Sequence, residues 1–129
     1  MTTLTEDMKS LVNTQKMGFV ATVSSDGSPN LSPKGTTLTF DDETLVFSLI
    51  NSDNTLTNLK SNPKVEINVV DPQEQKGFKF SGDATIHTEG EQLDKAVSMY
   101  KDNGVTNINT IVLVKVNSAV ELASPKYDA

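Results

Sequence analysis

Short segments in which hydrophobic and polar residues alternate recur along most of this sequence, separated by turn-forming residues. A period of two is typical of a half-buried strand, because successive side chains of a strand point to opposite faces. The most regular segment begins at Phe78 and ends at His87. Another runs from Gly18 to Val23, and Asp26-Gly27 follows it with the residues of a tight hairpin turn. The pattern therefore predicts a protein made mainly of antiparallel strands.

The remaining segments predict four more strands and three short helices. The second hairpin strand carries residues 30–32 and continues through 36–40, and three further strands are predicted at 45–50, 65–69 and 110–122. Helices are predicted near the N-terminus, between residues 51 and 63, and at 91–102. Strands at hairpin spacing leave little room for parallel crossovers. We therefore expect one α+β, mostly-β domain over residues 1–129, with five or six antiparallel strands closed into a small barrel and short helices covering its ends.

Composition excludes several classes of site. The 129 residues include no Cys and one His, His87, so disulfides, thiolate zinc sites and cysteine nucleophiles are excluded, as is a multi-histidine metal centre within one chain. A net charge of −6 argues against nucleic acid or an anionic membrane surface as partner. No apolar run approaches the ~20 residues of a membrane span. We expect a soluble cytoplasmic protein.

Two short polar segments are candidates for binding an anion. Ser32-Pro33-Lys34-Gly35 lies at the irregular end of the second hairpin strand, where proline removes an N–H and glycine allows close backbone approach. The helix after residue 51 would gather free backbone N–H groups near Asn54 and Thr55, and a helix N-terminus attracts anions. The alternatives are a solvated strand end with one exposed lysine, and polar residues that only cap the helix.

Three segments, taken in order, resemble the FMN-binding split-barrel family related to pyridoxamine 5'-phosphate oxidase. They are GFVATVSSDGSPNLSPKG, DDETLVFSLINSDNTLTNLKSNPKVEINV and FKFSGDATI. Each motif is short, and the specific part of the resemblance is their order and spacing, from about Gly18 to Ile86. In size the chain is similar to the short FMN-binding redox proteins of that family. The resemblance implies a six-stranded antiparallel split β-barrel with short flanking helices.

The resemblance also implies a homodimer that binds FMN in a groove between its subunits. In such proteins the second hairpin strand and the turn that opens the short helix hold the phosphate, and the strand Phe47–Asn51 would run along the isoalloxazine ring. No catalytic side chain is expected, because FMN itself carries the redox chemistry. The cofactor-binding residues carried over by position are Ser32, Lys34, Thr36, Ser48, Leu49, Asn51, Asn54 and Thr55.

Two departures from the family pattern narrow the expected function. Asn54-Thr55 stands where the oxidase typically has two basic residues, which leaves Lys34 as the main cation near the phosphate. The basic and histidine residues with which the oxidase receives its substrate phosphate have no counterpart near the end of the chain. We therefore expect an FMN-dependent oxidoreductase or electron-transfer protein with a small-molecule or protein redox partner. The alternative is a non-catalytic split-barrel module that binds another planar ligand, such as haem or a deazaflavin.

The last predicted strand gives a separate reason to expect a homodimer. Val112, Val114 and Val116 lie on one face, and Ile111 and Leu113 lie on the other. This is more apolar surface than we expect a lone small barrel to cover, so the sequence predicts a two-fold symmetric interface.

Overall fold

The computed structural model describes residues 2–50 and 53–122, and within them the chain forms three helices and seven strands. None of these helices is long and apolar enough to cross a membrane. The helices are α1 Glu6–Gln15, α2 Asp53–Ser61 and α3 Glu91–Asp102. The strands are β1 Gly18–Val23, β2 Pro29–Lys34, β3 Leu38–Asp41, β4 Thr44–Ser48, β5 Lys64–Asp71, β6 Lys76–His87 and β7 Ile111–Glu121.

All seven strands belong to one antiparallel sheet with the order β2-β1-β5-β6-β7-β4-β3. The expected mostly-β α+β class and split-barrel architecture are confirmed. The sheet has seven strands rather than six because the chain leaves β2 after Lys34 and enters β3 only at Leu38. The closed barrel is a correction: within the described residues β2 pairs only with β1, and β3 only with β4.

The short connection between the two edge strands forces the sheet to curl. In a flat sheet at about 4.8 Å per strand, β2 and β3 would lie about 29 Å apart. The four Cα–Cα steps from Lys34 to Leu38 span at most about 14 Å. The sheet must therefore bring its two edges together without pairing them. This unpaired seam between β2 and β3 is the split in the barrel.

The first four residues of β7, 111–114, are buried on both faces of the strand within the single chain. Val112 and Val114 face the main core, which α1 and α2 help to cover. Ile111 and Leu113 face a second cluster that α3 covers with Ala96 and Tyr100. The expectation that this strand leaves apolar surface for a partner is wrong, because α3 lies over its second face.

Apolar side chains are instead exposed on the outer face of the hairpin β1–β2. Phe19 and Val23 of β1 are each more than a third exposed, whereas Val20 is fully buried. The register pairs Ala21 with Leu31, which is 69% exposed, so these residues share one outward face. The turn at Asp26-Gly27 forms as predicted, with Gly27 at φ 88°.

The N-terminal cap of α1 differs from the one that the sequence suggests. Thr3 followed three residues later by Glu6 has the pattern of a capping box. The structure instead caps the helix at Thr5, whose hydroxyl accepts a hydrogen bond from Met8 N at 3.2 Å. Both threonines precede the helix, and the difference of two residues lies within the usual uncertainty of helix ends.

Gly82 gives a stability test of the sheet. It lies at a register shift between β6 and β7, where an added Cβ would collide with the Lys115 carbonyl oxygen and lie 3.0 Å from Val114 Cγ1. We expect Gly82→Ala to lower the free energy of unfolding by about 1–3 kcal/mol, because the backbone must shift. The measurement is urea denaturation, with Gly35→Ala as the matched control.

At Gly35, the control position, the structure leaves room for an added methyl group. A Cβ on Gly35 would meet only Met17 Cε, at 3.7 Å, so Gly35→Ala should change the free energy of unfolding by less than about 1 kcal/mol. Equal effects of the two substitutions would show that the close contact at Gly82 is not what limits that position.

Candidate functional site

A groove of about 280 Å³ lies at the end of β2, beside the seam between the two edge strands. Its walls come from the chain on both sides of Gly35 and from the end of β4. We call it the β2–β3 groove, and its lining residues are Ser32, Pro33, Lys34, Gly35, Thr36, Ser48 and Ile50. It therefore joins a cation, three hydroxyl groups and a glycine backbone in one concavity, which are groups that bind anions.

Thr36 and Ser48 form a hydroxyl pair within this groove. Thr36 Oγ1 accepts hydrogen bonds from Ser48 N at 2.9 Å and from Ser48 Oγ at 2.8 Å. Two hydroxyl groups carry two protons, and the bond between them uses one. Whichever hydroxyl donates within the pair, the other retains a proton that it can donate to an anion in the groove.

The turn that carries Thr36 is fixed by contacts from separate elements. Thr37 is fully buried, donates its hydroxyl to the Lys34 carbonyl at 2.8 Å and donates its N–H to the Lys16 carbonyl at 3.1 Å. Gly18 lies opposite Lys34 in the β1–β2 register and leaves room for Thr37, because a Cβ on Gly18 would approach Thr37 Oγ1 to 2.5 Å. The local backbone of the groove is therefore preorganised.

Lys34 is the buried cation of the groove. The residue is only 6% exposed, and burial lowers the pKa of its ammonium group below the usual value. Desolvation disfavours the charged form of a lysine, and a nearby anion restores it. An anion bound in the groove would therefore offset a cost that folding imposes on this side chain. The alternative of a solvated lysine at a strand end does not fit this burial.

The structure brings four of the eight sequence-predicted residues together in the groove: Ser32, Lys34, Thr36 and Ser48. Leu49 packs against the main core and donates its N–H to the Thr110 carbonyl at 3.1 Å. In α2, Asn54 is exposed and Thr55 is buried, and neither lines the groove. Asn51 lies outside the described residues. Roles for Leu49, Asn51, Asn54 and Thr55 in cofactor binding stay predictions.

Sequence reasoning missed three contributors to this region. Ile50 lines the groove and is 56% exposed, whereas its place at the end of the apolar run 45–50 predicted a buried strand residue. Asn58 of α2 donates to Thr22 Oγ1 at 3.0 Å and fixes the helix against β1. Tyr100 donates its hydroxyl to the Thr36 carbonyl at 2.7 Å. A buried tyrosine hydroxyl usually needs a partner, which was the available signal for Tyr100.

The single histidine lies in another cleft, of about 240 Å³, between the sheet and the start of α3. His87 Nε2 lies 2.8 Å from Thr85 Oγ1, and the same cleft is lined by Asp83 and Lys115. Asp83 Oδ1 forms an ion pair with Lys64 Nζ at 2.8 Å, and this contact holds the pKa of the Asp83 carboxyl below its usual value. Across the described part of the chain, no group of three or more potential ligands is placed to hold a metal ion.

These features define the class of the protein: a split β-barrel with a polar groove beside its seam, in which a buried lysine and three hydroxyl groups meet. A sequence profile described as pyridoxamine 5'-phosphate oxidase matches residues 4–120. The chain belongs to this family. No curated protein sequence gives a significant match to the chain.

Solved structures support the same fold. HupZ from Group A Streptococcus is 31% identical, with a TM-score of 0.84 over 98% of this chain and 99% of its own. An FMN-binding protein from Syntrophomonas wolfei is 19% identical, with a TM-score of 0.75 over 92% of this chain and 86% of its own. An F420 reductase is 23% identical, with a TM-score of 0.70 over 91% of this chain and 98% of its own.

Replacing the buried cation tests the electrostatics of the groove. We expect Lys34→Met to raise the free energy of unfolding at pH 7, because methionine keeps an unbranched chain without a buried charge. The lysine pKa is lower in the folded than in the unfolded state, so the penalty exists below the folded pKa and disappears as pH rises towards 10.5.

The stability advantage of Lys34→Met should therefore shrink between neutral pH and about pH 10.5. Urea denaturation of both proteins across this range measures the difference. A variant less stable than the natural chain at pH 7 would mean that contacts of Lys34 outweigh its desolvation.

Proposed function

We propose that the chain is a flavoprotein that binds FMN with its phosphate in the β2–β3 groove. The observation that carries the proposal is that buried Lys34 and the Thr36–Ser48 hydroxyl pair meet in one groove, in a member of the pyridoxamine 5'-phosphate oxidase family. A cation with two or more hydrogen-bond donors suits a phosphate, since charge-assisted hydrogen bonds are the stronger ones.

The residues present fit the phosphate end of FMN better than its ring. About 280 Å³ is below the usual range for a site that encloses a whole cofactor of this size. Exposed Ile50 offers an apolar surface where the groove opens. The isoalloxazine ring would extend past Ile50, and a second protein surface would have to cover it.

Bound FMN would supply electron and hydride transfer, and we propose an oxidoreductase or electron-transfer role on that basis. The chain's own residues would bind the FMN and orient it. Lys34 would neutralise phosphate charge, and the Thr36–Ser48 hydroxyl pair would donate one proton to a phosphate oxygen. The cytoplasmic location and the redox partner stay predictions.

We further propose that the covering surface is a second copy of this chain. The outer face of the hairpin β1–β2 exposes Phe19, Val23 and Leu31 side by side, and Pro29 and Pro33 lie at their cross-strand positions. A contiguous apolar patch on a small protein commonly marks an interaction site. The hairpin also carries the groove at the end of β2, so an interface here would lie next to the proposed flavin site.

The phosphate assignment is tested by titrating FMN and riboflavin against the natural chain and Lys34→Ala. FMN should bind roughly ten- to a hundredfold more weakly to the variant, because a charge-assisted contact contributes about 1.5–3 kcal/mol. Riboflavin has no phosphate and should be nearly unaffected. Fluorescence quenching of the flavin measures both constants.

Lys101→Ala is the matched control, since Lys101 is an exposed lysine at the end of α3. It removes the same formal charge without touching the groove and should leave FMN affinity within about twofold. Equal losses for FMN and riboflavin in Lys34→Ala would mean that the substitution loosens β2 rather than removing a phosphate contact.

The dimer is tested by Leu31→Asp, which places a charge at the most exposed apolar position of the hairpin face. We expect the natural chain to have the mass of a dimer by light scattering at micromolar concentration and Leu31→Asp to have that of a monomer. Val97→Asp on α3 is the control, because Val97 is also exposed, at 38%, and lies outside this face. A monomeric natural chain would contradict the proposal.

The alternative function is binding of another planar ligand, haem or a deazaflavin. The fold that the chain shares with an F420 reductase is the reason to consider a deazaflavin. The deazaflavin is a longer anionic ligand, and we expect its site to need more basic residues than the one buried lysine of this groove, in a chain of net charge −6. An absorption spectrum of the purified protein, before and after FMN is added, separates a flavin from the Soret band of haem.

A further inference from the structure

Tyr100 connects α3 to the β2–β3 groove from outside its walls. Its hydroxyl donates to the Thr36 carbonyl at 2.7 Å, across 64 positions of sequence. The residue is 1% exposed, and its ring lies in the second hydrophobic cluster with Val46 and Ile111. Burial raises the pKa of the Tyr100 hydroxyl, so it remains a donor at neutral pH.

Two of the polar groups of Thr36, its carbonyl and its hydroxyl, are held by different elements. Its carbonyl accepts from Tyr100 of α3, and its hydroxyl accepts from the backbone and side chain of Ser48 in β4. The hydrogen bonds of the next residue, Thr37, do not involve Thr36. The Thr37 hydroxyl donates to the Lys34 carbonyl, and the Thr37 N–H donates to the Lys16 carbonyl. Among the hydrogen bonds of the described residues, the Tyr100 contact is the one that fixes the Thr36 carbonyl.

We propose that Tyr100 is a positioning residue of the groove, which holds Thr36 so that the Thr36–Ser48 hydroxyl pair and Lys34 act on the same phosphate. This inference rests on the proposed function and deepens it. Without the tyrosine hydroxyl, the Thr36 carbonyl loses a buried donor and the peptide gains freedom to rotate towards water. The hydroxyl pair would then lose its alignment, while Thr37 would keep Lys34 in place.

The first test compares Tyr100→Phe with the natural chain for FMN and riboflavin. Phenylalanine keeps the ring in its cluster and removes only the hydroxyl. FMN should bind roughly three- to tenfold more weakly, as expected for one neutral hydrogen bond, and riboflavin should bind as before. Ile108→Val is the matched control, because Ile108 packs in the same cluster and makes no hydrogen bond to the groove through its side chain. Ile108→Val should lower the free energy of unfolding without changing the ratio of FMN affinity to riboflavin affinity.

The second test needs no ligand. Ser48 N donates to Thr36 Oγ1, so the exchange rate of the Ser48 amide hydrogen reports whether Thr36 is in place. In Tyr100→Phe this amide should exchange at least about threefold faster than in the natural chain, and in Ile108→Val the ratio of Ser48 exchange to that of other β4 amides should be unchanged.

The two tests separate the inference from the proposed function. A natural chain that binds no FMN contradicts the proposed function, and the Ser48 amide then decides the role of Tyr100 alone. An unchanged exchange rate of the Ser48 amide in Tyr100→Phe overturns the inference. If FMN binds, the inference is also overturned when the ratio of FMN affinity to riboflavin affinity is the same in Tyr100→Phe as in the natural chain.

Should Tyr100→Phe not fold, the natural chain provides the measurement. The Tyr100 hydroxyl proton is buried and hydrogen-bonded, so NMR should detect it as a slowly exchanging resonance. Addition of FMN should shift this resonance and addition of riboflavin should not. A resonance that responds equally to both ligands, or to neither, would overturn the inference.

Discussion

The rest of the structure depends on a geometric constraint: the two edge strands of a seven-stranded sheet are joined by three residues. A link this short cannot cross a flat sheet, so the sheet curls until β2 and β3 are close. The edges meet without pairing, and their polar backbone groups need other partners. Thr36 and Thr37 occupy this link: Thr36 accepts hydrogen bonds from α3 and β4, and Thr37 donates its N–H to the carbonyl of Lys16, just after α1. The groove is thus a consequence of how the barrel closes.

The same constraint explains why a charged side chain is buried at the end of β2. Lys34 is the last residue of the edge strand, where the link begins; it is 6% exposed, and Thr37 of the link donates its hydroxyl to the Lys34 carbonyl. The core provides the opposing stability, since residues 111–114 of β7 are buried on both faces and pack against α3 in the second cluster. Natural proteins commonly accept a local cost of this kind at a binding site. We propose that the ammonium group is retained at this buried position because a bound anion would offset its desolvation.

Local pattern predicted most of the fold but only part of the groove. Alternation marked β1 and β6, the Asp-Gly pair marked the hairpin turn, and α3 has the bounds that the sequence indicated. Lys34 and Ser32 were marked by the polar cluster that contains them. The bond from Tyr100 to Thr36 joins distant residues, and no local pattern reports it. The covering of β7 by α3 was missed for the same reason, which made its apolar residues an unsound argument for a dimer. The single-domain assignment and the cofactor roles of all eight sequence-predicted residues stay predictions.

A crystal structure of the protein grown with FMN would show whether the β2–β3 groove holds a phosphate group, as we propose. We expect phosphate density in the groove, with oxygens at the usual 2.7–3.2 Å of hydrogen bonds from Lys34 Nζ and from one hydroxyl of the Thr36–Ser48 pair. FMN bound with its phosphate outside this groove, or with Lys34 and both hydroxyls making no contact to it, would show that the groove is not the phosphate site.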